Sequence, residues 1–153
     1  MQLSEVYLAL GEEALGQLLR NVSLGKLKTY QLYERVKTRF RLAKLNSESL
    51  RKAAPRLWAR LNERDEELAT DLAQAILVSH LEMIKQVLDL LGIPHEEGFF
   101  AKDADVASYL TDGWQQRVFD KLKDAWPRPV LLFYLNHLSW ELGKTGDLFA
   151  PAA

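Results

Sequence analysis

The sequence contains no cysteine. This absence excludes disulfide bonds, zinc sites built on thiolates and cysteine nucleophiles together. It is also typical of proteins that work in a reducing compartment, where disulfides do not persist. We therefore expect a cytoplasmic protein.

Long hydrophobic stretches are missing as well. The longest uncharged apolar run, Pro129–Trp140, has 12 residues, whereas a transmembrane helix needs about 20. The first ten residues carry no Lys or Arg and place Glu5 inside an apolar stretch, unlike a secretory signal. The sequence therefore predicts neither a signal peptide nor a membrane partner.

Recognisable catalytic motifs are the third absence. The chain has no Glu-x-x-His, no His-Glu-x-x-His, no phosphate-binding glycine loop and no Gly-x-Ser-x-Gly. These motifs carry di-iron, zinc-protease, nucleotide and hydrolase chemistry respectively. We therefore predict no catalytic residue, no cofactor and no metal, and an enzyme without a known motif is our third functional interpretation.

The three histidines leave few alternatives for a metal or catalytic centre. His80 falls on a predicted helix opposite its polar stripe and is interpreted as a core residue. His95 stands beside two glutamates in a predicted loop, which makes a metal corner with a distant third ligand the alternative to an ordinary loop. His137 and Glu141 are one helical turn apart, a spacing that suits a side-chain pair or a metal.

What the sequence does contain is helical periodicity. The pattern predicts an all-α fold, a single compact bundle of about six or seven helices packed around a long central helix at about 63–91. Gly92-Ile93-Pro94 ends that helix, because glycine takes the left-handed conformation and proline blocks continuation. The other predicted helices span about 4–20, 29–40, 46–61, 103–110, 114–126 and 130–142.

Charge is distributed unevenly along the chain, although the net charge is only −1. Residues 20–61 hold twelve Lys and Arg against two Glu, whereas residues 62–124 carry a net charge of −8. We assign both parts to one helical domain over 1–143, followed by a tail, 144–153, that is expected to fray. Two interpretations of the asymmetry compete: the basic part binds phosphate groups, or the two parts face each other and pair.

Three bases repeat every four residues along the predicted helix at 46–61, on a flank away from its apolar stripe. They are Lys52, Arg56 and Arg60. We predict that they project outward together and form the main anion-binding group, with Arg35, Arg39 and Arg41 contributing from the preceding helix. The helix pair is similar in outline to a helix-turn-helix, but its connection at 41–46 is longer than the standard turn and lacks glycine.

These observations predict a non-enzymatic binding protein whose basic segment engages an anionic partner, most economically nucleic acid. The alternative is a protein-interaction or homodimerising helical module in which the charged segments pair. The apolar helix predicted at about 130–142 favours a homodimer, because a large exposed apolar surface usually marks an interface.

Overall fold

The computed structural model describes residues 2–23, 25–26, 52–143 and 148–152. Within these ranges it contains seven α-helices and one two-stranded sheet, which confirms the predicted all-α class. The chain divides between Ser79 and His80 into two compact units, Met1–Ser79 and His80–Ala153. Each unit is described in turn.

The described part of the first unit holds four helices. They are α1 (Leu3–Leu10), α2 (Glu12–Arg20), α3 (Ala54–Asn62) and α4 (Glu66–Val78). Helices α1 and α2 replace the single helix predicted at about 4–20. Gly11 separates them with φ +102°, a backbone conformation that side chains other than hydrogen rarely allow.

Helix α1 is fastened to α4 by two contacts between residues far apart in the sequence. The Tyr7 hydroxyl donates to the carbonyl of Ala69 at 2.9 Å, and the Ser4 N–H donates to the Glu66 carboxylate at 3.0 Å. The Tyr7 side chain is buried, and this burial raises the pKa of its hydroxyl well above its usual range. A buried neutral hydroxyl needs such a partner, since a polar group without one costs free energy in the interior.

The long central helix predicted at about 63–91 is two helices instead, α4 and a separate α5 (Leu81–Leu91). The break lies at Ser79, whose hydroxyl donates to the carbonyl of Ala75 at 2.8 Å and accepts the Ser23 N–H at 2.8 Å. A serine hydroxyl that bonds back to the preceding turn competes with the helix ladder. Apolar periodicity continues across the break because both helices bury a face.

The second unit begins with α5 and ends with two further helices, α6 (Trp114–Leu122) and α7 (Arg128–Glu141). Gly92 caps α5 in the left-handed conformation, with φ +76°, as its sequence predicts. An antiparallel hairpin, β1 (His95–Glu96) and β2 (Phe99–Phe100), lies where a loop is predicted. A short 3₁₀ helix, Val106–Tyr109, replaces the helix predicted at 103–110.

Helix α7 has the longest run of buried residues in the described part of the chain. All ten residues from Val130 to Ser139 are buried within the single chain. The observation that motivated a homodimer is therefore accounted for by intramolecular packing, and the homodimer stays a prediction. No helix of the described residues is both long and apolar enough to cross a membrane.

Candidate functional site

Helix α3 carries the first group of predicted anion-binding residues. It begins at Ala54 with Pro55 in its first turn, where a missing backbone N–H costs nothing. Its inner side is buried through Leu57 and Leu61, which are 2% and 0% exposed. Its opposite side therefore faces solvent. The exposed positions there are Pro55, Arg56, Ala59 and Asn62.

Arg56 is exposed in the first turn of α3, and Lys52, two residues before the helix begins, is exposed as well. Among the described residues, no carboxylate lies within ion-pair distance of Arg56. The solvent side of α3 thus offers the guanidinium of Arg56 to a ligand.

Arg60 has a different role. Its guanidinium contacts the Asp65 carboxylate at 2.6 Å, and only 35% of its side chain is exposed. The other oxygen of Asp65 accepts the Leu68 N–H at 3.0 Å and so caps α4. Arg60 therefore fastens the turn between α3 and α4, and it is less available to an external anion than Arg56.

The Asp65 cap was not among the residues singled out from the sequence. Its signal was nevertheless present, because an aspartate directly before two glutamates and an apolar run is typical of a helix start. Arg64, just before it in the turn between α3 and α4, has the left-handed φ of +62°. Arg35, Arg39 and Arg41, and most of the helix pair across 29–61, lie outside the described residues.

Loss of the Asp65 carboxylate is expected to destabilise this turn. Asp65→Ala removes the N-cap of α4 and is expected to cost about 1 kcal/mol of unfolding free energy. Asp65→Asn keeps an oxygen that can accept the Leu68 N–H, so it is expected to retain most of that stability. Urea denaturation of both variants checks this. An equal loss in the two would mean that the ion pair with Arg60, rather than the cap, carries the effect.

His95 lies in strand β1 of the hairpin. Its Nε2 bonds to the Asp89 carboxylate at 2.7 Å, and its Nδ1 accepts the Gly98 N–H at 3.2 Å. Both ring nitrogens are therefore occupied in holding the hairpin against the end of α5. No cluster of three metal-binding side chains occurs among the described residues, so that part of the chain gives no support to the alternative of a metal corner with the neighbouring glutamates.

A cluster of three charged side chains beside this hairpin also holds it against α5. Lys85 of α5 contacts Glu82 at 2.9 Å and Glu97, in the hairpin turn, at 2.7 Å. These carboxylates raise the pKa of the Lys85 ammonium, and Lys85 lowers the pKa of Glu97. Glu97 has φ +52°. This part of the acidic segment therefore pairs its own charges locally.

His137 is buried in α7 between two aromatic rings, with ring centres 5.9 Å away at Phe133 and 5.5 Å away at Trp140. Burial lowers the pKa of its imidazole to about 4, so the ring is neutral at pH 7. Its Nδ1 lies 3.8 Å from the Glu141 carboxylate, the one-turn neighbour that the sequence suggests. At that distance there is no hydrogen bond, and within the described part of the chain Nδ1 is a buried atom without a partner.

His80 occupies the N-cap position of α5 and is half-buried. It does not lie in the interior of a continuous helix as predicted, because the helix breaks directly before it. The three histidines are thus held in three separate surroundings.

No protein family, no curated protein and no solved structure matches this chain.

Proposed function

We propose that this chain is a non-enzymatic binding protein that engages an anionic partner through its basic segment, and that the partner is a nucleic acid. The observation that carries the proposal is the exposure of Arg56 on the solvent side of α3, whose other side is buried, together with the exposure of Lys52 just before that helix. They belong to the stretch 20–61, which holds twelve basic residues against two acidic ones. Such density suits a polyanion better than a single small anion.

The mechanism is electrostatic. A nucleic acid carries condensed counterions along its phosphates, and each Lys or Arg that neutralises a phosphate releases them into solution. An arginine also presents a planar fork of donors that matches two phosphate oxygens. Contacts of this kind position the protein on the backbone without reading the base sequence. We therefore expect affinity that depends strongly on salt and weakly on sequence.

The double variant Lys52→Ala/Arg56→Ala tests the proposal. It is expected to fold normally and to bind labelled duplex and single-stranded oligonucleotides more weakly. The slope of log affinity against log salt is expected to fall by about 0.9 for each duplex phosphate that the variant no longer neutralises. Fluorescence anisotropy at several salt concentrations measures both quantities.

The matched control is Lys121→Ala/Lys123→Ala, which removes the same charge from two exposed positions in the acidic segment. It is expected to change affinity and slope much less. Equal losses in the two double variants would assign the effect to net charge rather than to α3. No binding to either oligonucleotide at low salt would contradict the proposal outright.

The second candidate function is a protein-interaction or homodimerising module in which basic and acidic segments pair. The contact that favours it joins Arg60 of the basic segment to Asp65 of the acidic segment at 2.6 Å. Sedimentation velocity separates the candidates. A dimer that dissociates at high salt, together with a lack of oligonucleotide binding, would select this second function.

A further inference from the structure

Residues 148–152 belong to the second unit and contact α6 and α7. The Phe149 N–H donates to Asn136 Oδ1 at 2.7 Å, and Asn136 Nδ2 donates to the Phe149 carbonyl at 3.2 Å. Further along, the Ala152 N–H donates to Gln116 Oε1 at 2.9 Å. The ring of Phe149 meets the ring of Phe119 edge to face, with centres 6.4 Å apart.

Asn136 is an unusual residue for its position. It is 4% exposed and stands within the ten-residue buried stretch of α7, where an unpartnered amide is costly. Its Nδ2 also donates to the Leu132 carbonyl at 3.0 Å, so both amide hydrogens and the oxygen are used. Two of these three bonds go to the main chain of Phe149. The amide thus binds one residue of a peptide by its N–H and its C=O, as a neighbouring β-strand does.

Asn136 and Phe119 are more deeply buried than the residues of the segment 148–152 that they contact. Asn136 and Phe119 are buried, at 4% and 5% exposure. Leu148, Phe149 and Pro151 are only partly buried, and Ala150 and Ala152 are exposed. All three hydrogen bonds to the segment use its main chain, and Phe149 is the side chain with a ring contact. This is how a receptor surface holds a short peptide: main-chain bonds supply affinity, and an aromatic contact supplies selectivity.

We propose that Gln116, Phe119 and Asn136 form a peptide-binding surface, and that residues 148–152 are its intramolecular ligand. The surface takes a peptide in which an aromatic residue is followed, three positions later, by a residue with a main-chain N–H. A peptide of this chemistry from another protein displaces the chain's own segment. This site is independent of the basic segment, so it stands whether or not α3 binds nucleic acid.

The test uses the full chain with Phe149→Ala, which weakens the intramolecular ligand and leaves the surface intact. The probe is a fluorescent pentapeptide with the sequence of residues 148–152, Leu-Phe-Ala-Pro-Ala. We expect this variant to bind the probe at least tenfold more tightly than the unmodified chain. The reason is that a tethered ligand competes at an effective concentration in the range of about millimolar.

Two controls make the test specific. A probe with Ala in place of Phe, and a probe with Pro in place of its last Ala, are each expected to bind at least tenfold more weakly, because one lacks the ring and the other the N–H that Gln116 accepts. The variant Phe149→Ala/Gln116→Ala is expected to lose affinity for the original probe but not to discriminate against the Pro probe. Equal binding of all three probes would overturn the proposal, as would equal affinity of the Phe149→Ala and unmodified chains.

Hydrogen exchange on the unmodified chain provides a second measurement that needs no variant. The amides of Phe149 and Ala152 are expected to exchange through local opening, faster than the buried amides of α7. Excess unlabelled peptide is expected to accelerate them further, because it occupies the surface each time the segment leaves. Exchange of these two amides only by global unfolding, at the rate of α7, would show that the segment is a fixed part of the core and would overturn the proposal.

Discussion

Replacing Phe133 by alanine is expected to lower the free energy of unfolding by about 3–5 kcal/mol. The Phe133 ring is 0% exposed in α7, and its removal costs both the transfer free energy of the ring and the cavity left behind. A typical domain is stable by only about 5–15 kcal/mol, so this single change removes a large part of the total. Urea denaturation followed by circular dichroism measures the loss.

Phe99→Ala is the matched control, since the same atoms are removed from a side chain that is 47% exposed. Most surface substitutions fall within about 0.5 kcal/mol, and we expect a loss well below that of Phe133→Ala. Comparable losses in the two variants would mean that the exposed Phe99 ring contributes as much to stability as the buried Phe133 ring, which would contradict the prediction.

Acidification is expected to destabilise the protein through His137. Its pKa is lowered to about 4 in the folded chain, whereas an unfolded histidine titrates near its ordinary value of 6.5. Between these values the unfolded chain binds more protons than the folded one, so stability is lost as the pH falls through this window. Lowering the pH from 7 to 5 is expected to cost about 2 kcal/mol from this residue alone.

His137→Leu removes the titrating group and fills the same apolar space between Phe133 and Trp140. We expect this variant to lose about 2 kcal/mol less than the unmodified chain between pH 7 and pH 5. Glu141 contributes a pH dependence of the opposite sign. Burial raises the pKa of its carboxyl, so protonation of this carboxyl at low pH stabilises the folded chain.

The control for this pH dependence is His95→Gln. Since His137 is unchanged in that chain, its contribution to the acid-induced loss is expected to remain. Denaturant unfolding of the three proteins at both pH values gives the comparison. Identical pH dependence of the unmodified and His137→Leu chains would contradict the assignment.

Local patterns in the sequence were sufficient for the fold class and for several boundaries. Gly92, with Pro94 two residues later, ends α5 as expected, and Pro55 lies in the first turn of α3, where proline is tolerated. In both cases the information is contained in one or two backbone conformations. It therefore does not depend on residues elsewhere in the chain.

The predictions from sequence were wrong where contacts between residues far apart in the sequence decide the local structure. The break between α4 and α5 involves Ser79 and its bond to Ser23, 56 residues earlier. An apolar stripe continues through such a break because it records which side is buried, not whether the backbone is continuous. The Asn136 contacts with Phe149 were missed for the same reason, since no motif links a buried asparagine to a partner 13 residues later.

The residues of the candidate site show what helical spacing predicts and what it misses. Spacing alone predicts that Lys52 and Arg56 lie away from the apolar stripe, and both side chains are exposed. The same spacing places Arg60 with them, yet Arg60 bonds to Asp65 beyond the end of the helix. Periodicity describes one helix at a time, so it does not reveal a partner such as Asp65, which lies in the turn that follows the helix.

The two bonds that join α1 to α4 have a consequence for how the chain is made. Each joins residues 62 positions apart in the sequence. At a synthesis rate of about 5–20 residues per second, α4 follows α1 out of the ribosome by roughly 3–12 s. During that interval one of the surfaces that α1 packs against is missing, so the side chains of Leu3, Val6 and Tyr7 reach their full burial only after α4 has emerged.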